Sequence, residues 1–142
     1  MIVLRDRIGI RIGVRRPEAE GGSATELAIV FPAVFIAIMM IIQAGLAFHA
    51  QHVALASAQE GARAARLFQA TDADGTTRAN QALQALNAGG ILVNPQVSVS
   101  RTANDVRVTV GGNVVSLLPG VHLTIKPQVA EGPIEQFKAP GG

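Results

Sequence analysis

The residues able to do chemistry are few and widely spaced. Glu26 abuts an uncharged apolar run, His49 and His52 stand three apart, Glu60 precedes Arg63 by three, and Asp72 and Asp74 lead into Gly75. Two histidines on one helix face can hold a metal, but no neighbouring carboxylate offers a third ligand, so no metal is expected. The alternating acids at Asp72 and Asp74 resemble part of a calcium loop, yet the glycine comes too early and the downstream acidic ligand is missing. Glu60 and Arg63 fit a surface ion pair of about 0.2–0.5 kcal/mol. The chain has no cysteine, which removes thiol catalysis, thiolate metal sites and disulfides together. It has no phosphate-cradling glycine loop and no GxSxG nucleophile motif. The expectation is a non-enzyme with no cofactor and no small-molecule substrate.

Glu26 is the residue whose placement costs most. An unpaired acid costs about 2.5–3.5 kcal/mol at a bilayer centre and less towards the edge. Two readings fit it. It can be an ordinary helix N-terminal acid favoured by the macrodipole, with Ser23 or Thr25 as the cap, or it can serve a special function.

The element that positions it is the run Leu27 to Phe48, which holds no charge and has Gln43 as its strongly polar residue. As a helix it is about 33 Å long, enough for a hydrocarbon core of about 30 Å. Pro32 removes one backbone donor near its start, which a membrane helix tolerates. A cleaved secretory signal has a shorter apolar region, of about 7–15 residues. A soluble chain of 142 residues could hardly enclose such a helix. Before Pro17 stand five arginines against Asp6, +4 of a whole-chain +2, so the remainder carries −2. Arginines without interleaved aromatics, followed at once by an apolar run, do not suit nucleic acid. They suit the cytoplasmic flank of a single-pass membrane protein with its C-terminal part outside.

After Phe48 the chain stays rich in helix formers. Ala50, Ala54, Ala58 and Ala62 recur every four residues, beside Ser57, Gly61 and Ala65. Such rows permit close helix packing, with Ala54, Ala58, Gly61 and Ala62 as the candidates, but an alanine-rich helix produces them by chance as well. Residues 71–75 read as a break, and Thr76 or Thr77 can cap a short helix that stops at Gly89-Gly90. Val97 and Val99, then Val106, Val108 and Val110, alternate across the turn residues 102–105, which predicts a β-hairpin. Val121, Leu123 and Ile125 offer a third strand, joined loosely through Gly111-Gly112. The fold class is therefore α+β: a long N-terminal membrane-spanning helix continuing outside the membrane, with a small antiparallel sheet domain. The expected divisions are a basic leader 1–21, a span 22–48, an outer helix 49–70, an α+β domain 71–130 and a mobile tail 131–142.

Basic leader, glycine, short polar stretch, glutamate and apolar helix is the layout of a type IV prepilin. More narrowly, Ala24-Thr25-Glu26-Leu27-Ala28-Ile29-Val30-Phe31-Pro32, followed by Gln59-Glu60-Gly61-Ala62-Arg63-Ala64-Ala65, resembles the TadE-like family of pilus-assembly pseudopilins. Leu27 stands where that family usually has Phe or Tyr, a departure that bears on cleavage more than on fold. The resemblance implies a pilin-like fold and a prepilin peptidase that cuts between Gly21 and Gly22. Glu26 would then be the fifth mature residue and guide assembly. It implies a minor pilin or pseudopilin of a Tad/Flp pilus, with the lipid bilayer, the peptidase, other pilins or pseudopilins and the assembly platform as partners. The alternative is a generic single-pass protein presenting a small binding or sensor domain.

Overall fold

The computed structural model describes residues 20–136, with side chains from Ala24 onward. The basic leader before Glu20 and the end of the expected tail, 137–142, lie outside the described residues. The chain divides into two units at Ile36, inside its first helix.

Helix α1 runs Glu20–Arg66, so the expected span and outer helix belong to one element. Nothing in its sequence stops it earlier: Gly45 and Gly61 cost about 1 kcal/mol each against alanine, and Pro32 sits near the start. In the first unit the described part of α1 exposes Leu27, Ile29, Phe31, Val34 and Phe35. α1 is long and apolar enough to cross a bilayer once. That fits a single-pass membrane protein.

The second unit, from Ala37, holds the core. Helix α2, Asp72–Leu86, is followed by strands β1, Leu92–Arg101, and β2, Asp105–Val114. Strands β3, Leu123–Thr124, and β4, Gln128–Pro133, complete one antiparallel sheet. β2 is its centre: β1 pairs along one edge, and β3 and β4 pair in succession along the other. Alternation puts Val106, Val108, Val110 and Val114 on the buried face of β2. Against them pack Ala50, Val53, Ala54, Ala58, Ala62 and Ala65 of α1, with Leu83 of α2. A small domain with so few aromatics gains its packing from valines facing alanines, which lets the helix lie close to the sheet.

Four expectations change. Residues 71–75 are not a break but the start of α2, capped by Thr71 rather than Thr76 or Thr77. The Thr71 backbone N–H and hydroxyl both donate to the Asp74 carboxylate, at 2.7 and 2.8 Å, and the hydroxyl accepts from the Asp74 N–H. Gly75 is buried inside that helix. Gly111-Gly112 lies within β2, where a Cβ on Gly112 would meet the Leu92 side chain at 2.9 Å and the Val93 carbonyl at 3.1 Å. Opposite it, β1 carries an irregularity between Val93 and Gln96, with Asn94 at φ 49° beside Pro95. A proline is tolerated there because β1 is an edge strand. The third-strand candidate is reduced to Leu123–Thr124, and the expected tail begins inside a paired strand, with Glu131 opposite Arg107.

The capping box carries a pH prediction. The Thr71 backbone and hydroxyl hydrogen bonds, aided by the charge of Arg101, hold the Asp74 carboxyl below the usual carboxylate range. A depressed pKa contributes stability that is present above the ordinary carboxylate pKa and lost as pH falls through the depressed one. The protection factors of amides at the start of α2, which are corrected for the intrinsic pH dependence of exchange, are therefore expected to fall on acidification, and Asp74→Asn to remove that acid-dependent part. A wild-type pH profile retained in Asp74→Asn would contradict this.

Candidate functional site

Gly21 and Gly22 fall in the first turn of α1, and Glu26 follows one turn later with an exposed side chain. None of the described ion pairs involves Glu26. The acid and the two glycines thus share one short helical stretch at the head of the apolar run.

The Glu60-Gly61-Ala62-Arg63 motif occupies the far end of the same helix. Each of its residues has a separate task. The Glu60 carboxylate accepts from Arg63 Nη1 at 2.9 Å through one oxygen and from Arg78 Nη2 and Nε at 3.0 and 3.2 Å through the other. The second contact ties α1 to α2. Both arginines are more than half exposed, so these pairs set alignment more than stability. Gly61 sits where α1, α2 and β2 meet: a Cβ there would lie 2.8 Å from Ala79 Cβ, 2.9 Å from the Gly75 carbonyl oxygen and 3.2 Å from Val108. Gly75 repeats this from the other side, against Ala65 and the Gly61 carbonyl. Ala62, with Ala54 and Ala58, is buried in the core cluster. The four small residues singled out in the sequence therefore face this chain's own sheet and second helix. Ser57, in the neighbouring row, satisfies its hydroxyl on the Val53 carbonyl one turn back.

Two further residues fasten the domain to α1. Gln43 is buried, 4% exposed, and its amide donates to the Val115 carbonyl at 3.0 Å while its carbonyl accepts from the Leu117 N–H at 2.9 Å. Its isolation in an apolar run was the available signal. Arg66 Nε donates to the Pro133 carbonyl, and the Arg66 carbonyl accepts from the Glu135 N–H, both at 2.9 Å. No spacing in the sequence pointed to that pairing.

His49 and His52 are both exposed, and the His52 ring stands edge-on to Phe48 with centroids 4.4 Å apart. Among the described residues no three His, Cys, Asp or Glu side chains gather as a metal set.

Residues 21–63 match the family model described as TadE-like protein. This segment is TadE-like. The TadE-like segment begins at Gly21 and ends at Arg63, so it holds the two glycines, Glu26, the apolar run and the whole Glu-Gly-Ala-Arg motif. Helix α2 and the sheet lie beyond it. Neither the curated proteins nor the solved structures give a match to this chain.

Proposed function

We propose that this chain is a minor pilin or pseudopilin in the biogenesis of a Tad/Flp type IV-class pilus. The observation that carries the reading is the extent of the TadE-like segment, which starts on the processing glycine and closes on the motif that docks α2. A prepilin peptidase hydrolyses the Gly21–Gly22 bond on the cytoplasmic side and leaves α1 in the cytoplasmic membrane. Five arginines before Pro17 support that orientation, with the sheet domain outside. Hydrolysis frees the Gly22 α-amino group, mostly protonated at neutral pH with an ordinary pKa of about 7.7–8.0. That amine pairs with Glu26, in the same subunit or its neighbour, and offsets the cost of holding a carboxylate beside lipid. Subunits then assemble through α1, alongside other pilins and the assembly platform. The protein acts by assembly and catalyses no reaction.

Mass spectrometry of the mature chain tests the processing step. A chain beginning at Gly22 is expected, whereas an intact Met1 beside an active prepilin peptidase would favour a generic single-pass anchor. That second reading draws on the sheet domain lying outside the TadE-like segment. Glu26→Ala is expected to leave membrane insertion unchanged and to lower pilus yield. A normal pilus yield would remove the assembly role of Glu26.

A further inference from the structure

We infer that the loop 115–121 is a second membrane contact, an apolar turn that rests in the outer interface of the bilayer beside α1. The inference rests on reading α1 as a membrane span. Its starting point is Gln43, whose amide hydrogen-bonds the loop backbone at Val115 and Leu117. A hydrocarbon core needs about 20 helical residues. Counted from Leu27, they end at Leu46, past Gln43 in the sequence. The loop is therefore fastened to a position about one helical turn inside the outer end of the span.

The loop is built for such a position. From Val108 to Ile125 the chain has no Asp, Glu, Lys or Arg, and His122 is its one titratable side chain. Leu118, Pro119, Gly120 and Val121 form a tight turn: the Leu118 carbonyl accepts from the Val121 N–H at 3.3 Å, and Gly120 has φ 79°. Proline followed by a positive-φ glycine is the signature of a type II turn. Ser116 bonds the Leu118 carbonyl and N–H with its hydroxyl, so that residue's backbone is satisfied without water. The loop leaves Leu117 47% exposed, together with Val115 and Val121. Ile41, Ile42 and Phe48 on the neighbouring stretch of α1 are exposed as well. Neither stretch carries an Asp, Glu, Lys or Arg.

The opposite end of the domain differs in kind. Arg66, about 35 Å further along α1 than Gln43, meets Pro133 and Glu135 there. Asp105 stands opposite Pro133 there, and Glu131 opposite Arg107 two residues along. An anchored domain whose end beside the span is free of charge, and whose far end holds its charges, matches the gradient from lipid to water.

The absence of native cysteine makes the test direct. Full-length Phe35→Cys, Leu117→Cys and Asn104→Cys, each carrying a polarity-sensitive fluorophore, would be reconstituted in phosphatidylcholine–phosphatidylglycerol vesicles containing doxyl lipids. The expected result is blue-shifted emission at position 117, quenched most by headgroup-proximal doxyl and protected from aqueous iodide. Position 104 should be quenched by iodide alone. Val121→Cys repeats the measurement from a second side chain, should the first variant misfold. Iodide quenching without doxyl quenching at 117 and 121 overturns the inference. Protection from both quenchers also overturns it, because a protein surface such as a second copy then covers the loop. A label at position 35 insensitive to doxyl lipid would overturn the span itself, an outcome distinct from failure of the loop alone.

Discussion

Gly61→Val is expected to cost the sheet domain about 3 kcal/mol or more, the upper end of what overpacking a well-filled core does. Even a single Cβ at position 61 would stand 2.8 Å from Ala79 Cβ and 2.9 Å from the Gly75 carbonyl oxygen. Neither neighbour is the end of a flexible side chain, so relief requires moving α2 as a body. Valine adds two further methyls into a space that Val108 already closes. Gly61→Ala should be milder: about 1–3 kcal/mol of overpacking is partly offset by about 1 kcal/mol of gained helix propensity. Gly45→Ala, on the same helix with nothing within 4 Å of the added carbon, serves as the control and should destabilise nothing. The chain has no Trp or Tyr, so hydrogen exchange of peptides covering β2 is the suitable readout. The amides of Val106, Val108 and Val110 should exchange faster in Gly61→Val, while unchanged exchange would show that the crossing tolerates a side chain.

Gly61 also shows where the sequence was legible and where it was not. Alanines every four residues on α1 mark a face that can be approached closely, but spacing does not say what approaches. The approaching elements are α2 and β2, separated from Gly61 by a turn and a hairpin. Gly75 illustrates the opposite difficulty. Two acids followed by glycine have the local chemistry of a turn, and only the contact with Ala65 and the Gly61 carbonyl explains a glycine inside a helix. The hairpin could be read because its valines alternate and its turn residues are local. β4 could not, because Gln128–Pro133 is short and contains Gly132 and Pro133. Its strand character comes from the unpaired edge of β2, which the six residues of β4 satisfy. At the candidate site, Gly21, Glu26 and the Glu-Gly-Ala-Arg motif stood out by type and spacing, and the TadE-like match spans those same residues. Arg78 as the third member of the Glu60 cluster did not stand out, since an arginine 18 residues away is near only after α2 folds back.

Gln43→Leu is the second change with a large expected effect, and hydropathy alone predicts its sign wrongly. Leucine makes the apolar run more uniform and should strengthen insertion. It also removes the donor to the Val115 carbonyl and the acceptor for the Leu117 N–H. A buried polar group left unpaired costs about 1–3 kcal/mol. Whichever of the two stays buried incurs that cost, unless the loop detaches to reach water or another partner. The local opening free energy of 115–121 should therefore fall by about 1–3 kcal/mol, which at 1.4 kcal/mol per decade is roughly 5- to 150-fold faster exchange at Leu117. The core valines should change little, because Val115 also holds its N–H on the Ile91 carbonyl, which keeps the end of β2 in register. Gln43→Glu separates geometry from apolarity. An ionised carboxylate can still accept from Leu117, but it cannot donate to Val115 and repels that carbonyl, so its loop should also exchange faster. Unchanged exchange at Leu117 in both variants would show that the amide does not hold the loop. Faster exchange there with intact membrane insertion would show why this one polar residue stands in the apolar run: it fixes the sheet domain to the helix.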